Sequence, residues 1–191
     1  VGQPVINTDV KIADDGEILV AGDLTMQGYW NNPDATADTL RDGWVHTGDI
    51  GHIDDDGHLV ITDRKKDIIV NSGGDNIAPQ RVEGIICMEP EIAQAMVYGD
   101  KRSHLVALLV PDDEWLKDWA DANNTSGDLS TQTDNPSLLE ALAPTLERVN
   151  AKLSAIEKVR HFILASAPFS VDNGLMTPTM KVRRHKIKDA Y

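Results

Sequence analysis

The sequence predicts a two-part α/β chain: a mostly β first third, then a remainder in which helices and strands alternate. Three observations carry this. Before residue 64, the recognisable elements are short β-rich runs bounded by Gly and Asp. After it, apolar residues at helical spacing alternate with apolar runs of strand length. Charge divides at the same place, with 13 acidic and 3 basic residues in 1–64 against 18 and 15 in 65–191. A chain of 191 residues, 41% hydrophobic and 26% charged, is long enough to bury a real core.

In order along the chain, "GEILVAG" (16–22) and "GHLVITD" (57–63) read as strands entered from turns. "TDRKKDIIVNSGGDNIAP" (62–79) reads as one strand that begins in the cations Arg64, Lys65 and Lys66. It runs through a buried "IIV" and ends in a polar turn at Gly73 and Gly74. Pro79 suits a first helical position, and Val82, Ile85 and Ile86 follow at helical spacing in a helix that ends by Pro90. "IAQAMVYG" (92–99) and "HLVALLVP" (104–111), separated by the charged turn "DKRS", predict an antiparallel hairpin. Asp112 and Asp113 cap a short amphipathic helix with Trp115, Leu116 and Trp119 on its apolar side. Residues 123–135 lack apolar periodicity and read as a surface loop, in which Asn123-Asn124-Thr125 matches a glycosylation acceptor by chance. Leucines and other apolar residues from Leu138 to Ile156 recur every three or four positions, giving a long helix with Pro144 as a point of kinking. "KVRHFILA" (158–165) is a further strand, and the tail is a Gly-containing loop leading to a short basic helix.

A net charge of −13, with no basic stripe interleaved with aromatics, excludes ordinary DNA or RNA binding. The exception is the basic cluster Lys181, Arg183, Arg184, Lys186 and Lys188, which charge pattern alone reads as a solvated helix end. Cys87 is the only cysteine, which excludes internal disulfides and fits a reducing compartment; with no secretory signal at the first residues, the expected location is the cytoplasm. No apolar run approaches the roughly 18 residues of a membrane span.

"DDDG" (54–57) lacks the alternating ligands and late glutamate of a calcium loop and reads as a tight turn. The six histidines show neither metal-ligand spacing nor a nucleophile partner, so no metal site and no catalytic histidine is expected. Gly73–Gly74 fits an ordinary β-turn or a place where a ligand approaches bare backbone. Lys181, taken alone, reads as a solvated lysine.

The combination changes these readings. "DGWVHTGDIG" (42–51), "GHLVITDRKKDIIVNSGGDNIAP" (57–79) and "GLMTPTMKVRR" (174–184) stand in the order and spacing of the adenylate-forming enzymes, and the upstream "GEILVAGDLTMQGYWNNPDATADTL" fits as well. The chain resembles the acyl-CoA synthetases of that superfamily over essentially its whole length, and most closely the bacterial long-chain fatty acid–CoA ligases. Neither the family's Ser/Thr/Gly-rich phosphate loop nor its Thr-Glu magnesium motif occurs. The resemblance therefore implies a C-terminal fragment, inactive in isolation: residues 1–63 as the last β-rich part of the large AMP-binding domain, 64–66 as hinge and 67–191 as the small α/β lid.

What the resemblance implies for chemistry is an acid–thiol ligase that uses ATP, Mg2+ bound by the absent region, a fatty acid and CoA. Lys181 matches the lysine that stabilises the adenylation transition state, in a "TPTMK" loop whose Met180 replaces the commoner glycine and is expected to stiffen it. Asp49 and Arg64 match the contacts to the ribose hydroxyls, and Lys66 matches the hinge. Gly73 and Gly74 match a turn meeting the pantetheine tunnel. Peripheral membrane association of the full enzyme is compatible with a fatty substrate, and exposed apolar surface on residues 1–63 is expected to favour self-association. From another class, the competing reading is a stand-alone lid-like module that binds a partner or nucleotide without catalysis.

Overall fold

The computed structural model describes residues 1–191. The chain is mixed α/β and divides into two compact units, Val1–Ile68 and Ile69–Tyr191.

The first unit contains strands β1 (Thr8–Ile12) and β2 (Glu17–Gly22), helix α1 (Pro33–Thr39), and strands β3 (Leu40–Arg41), β4 (Trp44–Ile53) and β5 (Leu59–Arg64). They form one antiparallel sheet in the order β1-β2-β4-β3, and β5 pairs with the far half of the long strand β4. Alternation in "TDVKI" places Thr8, Val10 and Ile12 on the less exposed face of β1. Helix α1, absent from the sequence reading, starts at Pro33 and is capped by the Asn32 side chain, which accepts from Ala35 N at 3.1 Å. It buries no residue, so it has no apolar stripe to betray it. Ile18 and Leu19 are the only apolar residues of this unit that are fully buried, whereas Ile6, Leu24 and Trp30 are exposed, Trp30 at 98%. The "DDDG" turn closes as expected, with Asp54 Oδ1 accepting from the backbone N–H groups of Asp56 and His58.

The second unit begins with a two-stranded hairpin, β6 (Ile69–Val70) with β7 (Asn76–Ile77), and continues through α2 (Pro79–Ile86), β8 (Ile92–Tyr98), β9 (Leu105–Pro111) and α3 (Asp113–Ala122). A 3-10 turn (Leu129–Thr131), α4 (Pro136–Ala151), β10 (Val159–Leu164) and α5 (Arg184–Ala190) complete it. The main sheet has the order β10-β9-β8. Strands β8 and β9 form the expected antiparallel hairpin, and β10 joins β9 in parallel after the long crossover containing α3 and α4. Asp112 caps α3 by accepting from Glu114 N and Trp115 N, and Asn135 caps α4. The core runs from Ile69 to Ile187 and is continuous, with Val82, Leu105, Leu138, Val149 and Val159 sealed from solvent.

Three expectations change. Residues 62–79 are not one strand: β5 ends at Arg64, residues 65–67 turn, and of "IIV" only Ile69 is buried. The loop 123–135 is not wholly a surface excursion, because Leu129 sits in the core at 9% exposure and Gln132 is buried beside it. One leucine gives no periodicity, which is why the pattern missed it. Helix α4 stops at Ala151, and Ile156, counted in the helical stripe, is 43% exposed beyond its end. No helix is long and apolar enough to cross a membrane.

Candidate functional site

The "TGD" stretch is a bulge in β4. Pairing with β2 runs Glu17↔Ile50 and then Leu19↔His46, so Thr47, Gly48 and Asp49 face a single residue of β2. This detour uses a left-handed residue, and Gly48 supplies it at φ +71°. Thr47 Oγ1 donates to Ile18 O at 2.7 Å and accepts from Asp49 N at 3.1 Å. The Gly48 peptide is gripped at both ends: its N–H donates to Glu17 Oε1 at 3.0 Å, and its carbonyl accepts from Lys65 N at 2.8 Å.

Bulging aims Asp49 at the neighbouring strand. Asp49 and Arg64 are cross-strand partners, with Arg64 Nη1 3.0 Å from Asp49 Oδ1. The two residues that the sequence matched to ribose binding are therefore side by side, half-buried carboxylate against exposed guanidinium. Directly after them, Asp67 N and Ile68 N both donate to Arg64 O, closing a turn that carries the exposed Lys66 at its middle.

Lys65 and Glu17, which sequence reasoning did not single out, lie under this bulge. Glu17 is 4% exposed; its Oε2 is 2.9 Å from Lys65 Nζ and 3.0 Å from His46 Nδ1. Lys65 Nζ also reaches Asp15 Oδ2 at 2.6 Å. Burial pushes the Glu17 carboxyl up, but hydrogen bonds from Lys65, His46 and Gly48 N–H together hold it below the usual carboxylate range. The Lys65 bond holds Asp15 low as well, and Asp15 and then Glu17 raise Lys65. The only sequence signals for these residues were a glutamate at a strand start and a lysine in a run of cations.

In the second unit, Gly73 and Gly74 occupy the exposed loop between β6 and β7. Asn71 organises it: Asn71 Oδ1 accepts from Gly73 N at 2.8 Å and Asp75 N at 2.9 Å, and its carbonyl accepts from Gly74 N. Gly74 has φ +87°, so its backbone alone favours glycine, while a side chain there would meet only open space. Ser72 N and Lys101 N tie the hairpin to the β8–β9 turn through Arg102 O and Val70 O.

Lys181 lies in a tight turn of the same unit. Thr177 N donates to Lys181 O, Met180 N donates to Thr177 O, and Lys181 N donates to Thr177 Oγ1 at 3.0 Å. This is a three-residue hairpin loop with Pro178 and Thr179 in its turn and Met180 left-handed at φ +60°. Met180 thus adopts the backbone that a glycine would take, and it holds Lys181 exposed at the turn's exit. His104 and His161 make one edge-to-face ring contact, and no group of three or more His, Cys, Asp or Glu side chains converges as a metal site.

Residues 66–191 match the model of the AMP-binding enzyme C-terminal domain, and the chain belongs to that family. Its curated relatives include the long-chain fatty acid–CoA ligase FadD15 of Mycobacterium tuberculosis, 40% identical over all of this chain and 32% of the relative. Long-chain fatty acid–CoA ligase 1 of Homo sapiens is 37% identical over 93% of this chain and 26% of that protein. The chain spans between a quarter and a third of the length of these relatives. Among solved structures, the A domain of carboxylic acid reductase from Segniliparus rugosus, in complex with AMP and a co-purified carboxylic acid, aligns with a TM-score of 0.81 and 26% identity. That alignment covers 99% of this chain and 30% of that one. O-succinylbenzoate CoA synthetase of Bacillus subtilis, in complex with AMP, aligns at a TM-score of 0.69 with 26% identity, over 98% of this chain and 35% of that one. These neighbours are adenylate-forming enzymes.

Proposed function

We propose that these residues are the C-terminal part of a long-chain fatty acid–CoA ligase, active as the complete protein. In the first half-reaction a carboxylate oxygen of the fatty acid attacks the α-phosphorus of ATP, the bond to the β-phosphate oxygen breaks, and pyrophosphate leaves. In the second, the CoA thiol, giving up its proton, attacks the acyl carbon and displaces AMP.

The observation that carries this reading is the pairing of Asp49 with Arg64 at the bulge. A carboxylate has two acceptor oxygens suited to the two ribose hydroxyls, and the guanidinium beside it orients the carboxylate. Lys181 is assigned to the adenylation transition state, where its ammonium offsets negative charge on the α-phosphate and the attacking carboxylate. The exposed turn holding it and the backbone bonds to Thr177 support that role. Lys66 is assigned to the hinge between the AMP-binding domain and the lid, a reading supported by its place in the turn just before the division at Ile68 and Ile69. Gly73 and Gly74 are assigned to the pantetheine tunnel. Magnesium and CoA are the co-reactants in this reading, and no metal-ligand group converges in these residues. The long acyl chain rests on the named relatives. The reading includes a cytoplasmic location, supported by the single exposed cysteine.

The experiment compares the complete protein with the 191-residue chain. Fatty-acid-dependent pyrophosphate release followed by CoA-dependent AMP release is expected of the first, and neither of the second, whose sequence holds no phosphate loop. Turnover by the 191 residues alone, or none by the complete protein with any fatty acid, overturns the reading.

A further inference from the structure

Glu17 is a carboxylate where an apolar residue would serve β2 better. It is almost fully buried at the start of the strand, next to the only two buried apolar side chains of its unit, Ile18 and Leu19. Burying a charge is costly unless it is paired and hydrogen-bonded. Here the compensation comes entirely from one place. Oε1 takes the Gly48 N–H, and Oε2 takes Lys65 Nζ and the His46 ring nitrogen. His46 and Gly48 belong to the bulged stretch of β4, and Lys65 is the residue after Arg64. Lys65 in turn closes the circuit by donating its own N–H to the Gly48 carbonyl. A satisfied polar network of this kind rigidifies the backbone it touches, and the backbone it touches is the one that presents Asp49 and Arg64.

We propose that Glu17 is a positioning residue for nucleotide binding: through Gly48 and Lys65 it fixes the bulge and the end of β5, so that the Asp49 carboxylate and the Arg64 guanidinium meet the ribose as a preset pair. This rests on the adenylation reading above. Glu17 touches no substrate in this scheme. Lys65 is its essential counter-charge, because it bonds both acidic side chains beneath the bulge, Glu17 and Asp15.

The test uses the complete enzyme with Glu17→Gln, Lys65→Met, Asp49→Ala, and each of the first two combined with the third. Glutamine keeps the shape and an acceptor for Gly48 but loses the charge that holds Lys65. Expected is a rise of roughly five- to thirtyfold in KM for ATP for Glu17→Gln and for Lys65→Met, the consequence of a weakened charged hydrogen bond. KM for the fatty acid should stay within about twofold. In the Asp49→Ala background either change should raise KM for ATP by clearly less than it does alone, since only the Arg64 contact is then left to be positioned. A defect of folding alone would instead lower the yield of active enzyme without separating the two KM values. Should Glu17→Gln not fold, Lys65→Met carries the same comparison. An unchanged KM for ATP in the folded variants, or an equal further rise in the Asp49→Ala background, overturns the inference. If Asp49→Ala itself leaves KM for ATP unchanged, the ribose assignment falls first and this inference with it.

Discussion

Arg64 Nη1 lies 3.0 Å from Asp49 Oδ1 across the β4–β5 ladder, at a point where β4 departs from regular pairing and Gly48 turns left-handed. Because both side chains keep contact with solvent, this ion pair contributes little to stability. Its value is positional. Asp49→Ala in the complete enzyme is expected to raise KM for ATP by roughly ten- to a hundredfold, the range for losing a hydrogen bond to a charged group, with the melting temperature shifted by no more than a degree or two. A change below twofold would contradict the assignment.

The network beneath the pair predicts a pH response of opposite sign at the two ends of the scale. Asp15 and Glu17 titrate below their ordinary values of 3.8 and 4.5, so their stabilisation is present above about pH 4.5 and is lost as pH falls through the depressed values. Lys65 titrates above its ordinary 10.5, so its contribution persists below that pH and is lost as pH rises through the raised value. Thermal melts of the 191-residue chain between pH 3 and 5 should show a steeper acid loss for wild type than for Glu17→Gln. Parallel curves would contradict the network.

Gly74 has two reasons to be glycine, and they can be separated. Its φ of +87° penalises every side chain except the few that tolerate left-handed backbone, whereas the space around it is open. Gly74→Leu combines strain with bulk, but Gly74→Asn adds bulk with the least strain. If this loop meets the pantetheine tunnel, Gly74→Asn in the complete enzyme should slow thioester formation from supplied acyl-adenylate by about tenfold or more while adenylation stays within twofold. Equal losses in both steps would mark the loop as structural only.

What could be read from the sequence follows what side chains do alone. The β8–β9 hairpin, β10 and the α2 and α3 helices were legible because continuous apolar runs and capping residues announce themselves locally. Helix α1 was not, since it buries nothing, and Leu129 was not, since a lone leucine in a polar loop carries no period. Asp49 and Arg64 were legible as motif residues through family resemblance, yet their contact was not, because it depends on the register between β4 and β5 and on the bulge at Gly48. Glu17 and Lys65 stayed hidden for the same reason. They are 48 residues apart in sequence and meet only when the sheet closes.

The most direct measurement compares the two half-reactions in Lys181→Ala of the complete enzyme, with Lys186→Ala and melting temperature as controls. Removing one preorganised ammonium from the adenylation transition state should cost about 2.7–4 kcal/mol, a slowing of roughly 100- to 1000-fold. Lys181 is exposed in its turn and its backbone bonds are independent of the side chain, so folding should be unaffected. Conversion of supplied acyl-adenylate and CoA to acyl-CoA should proceed at close to the normal rate, and Lys186→Ala should leave both steps intact. If Lys181→Ala slows both half-reactions alike, or behaves as Lys186→Ala does, Lys181 is only the first of a basic run and the account of this chain as a catalytic lid is wrong.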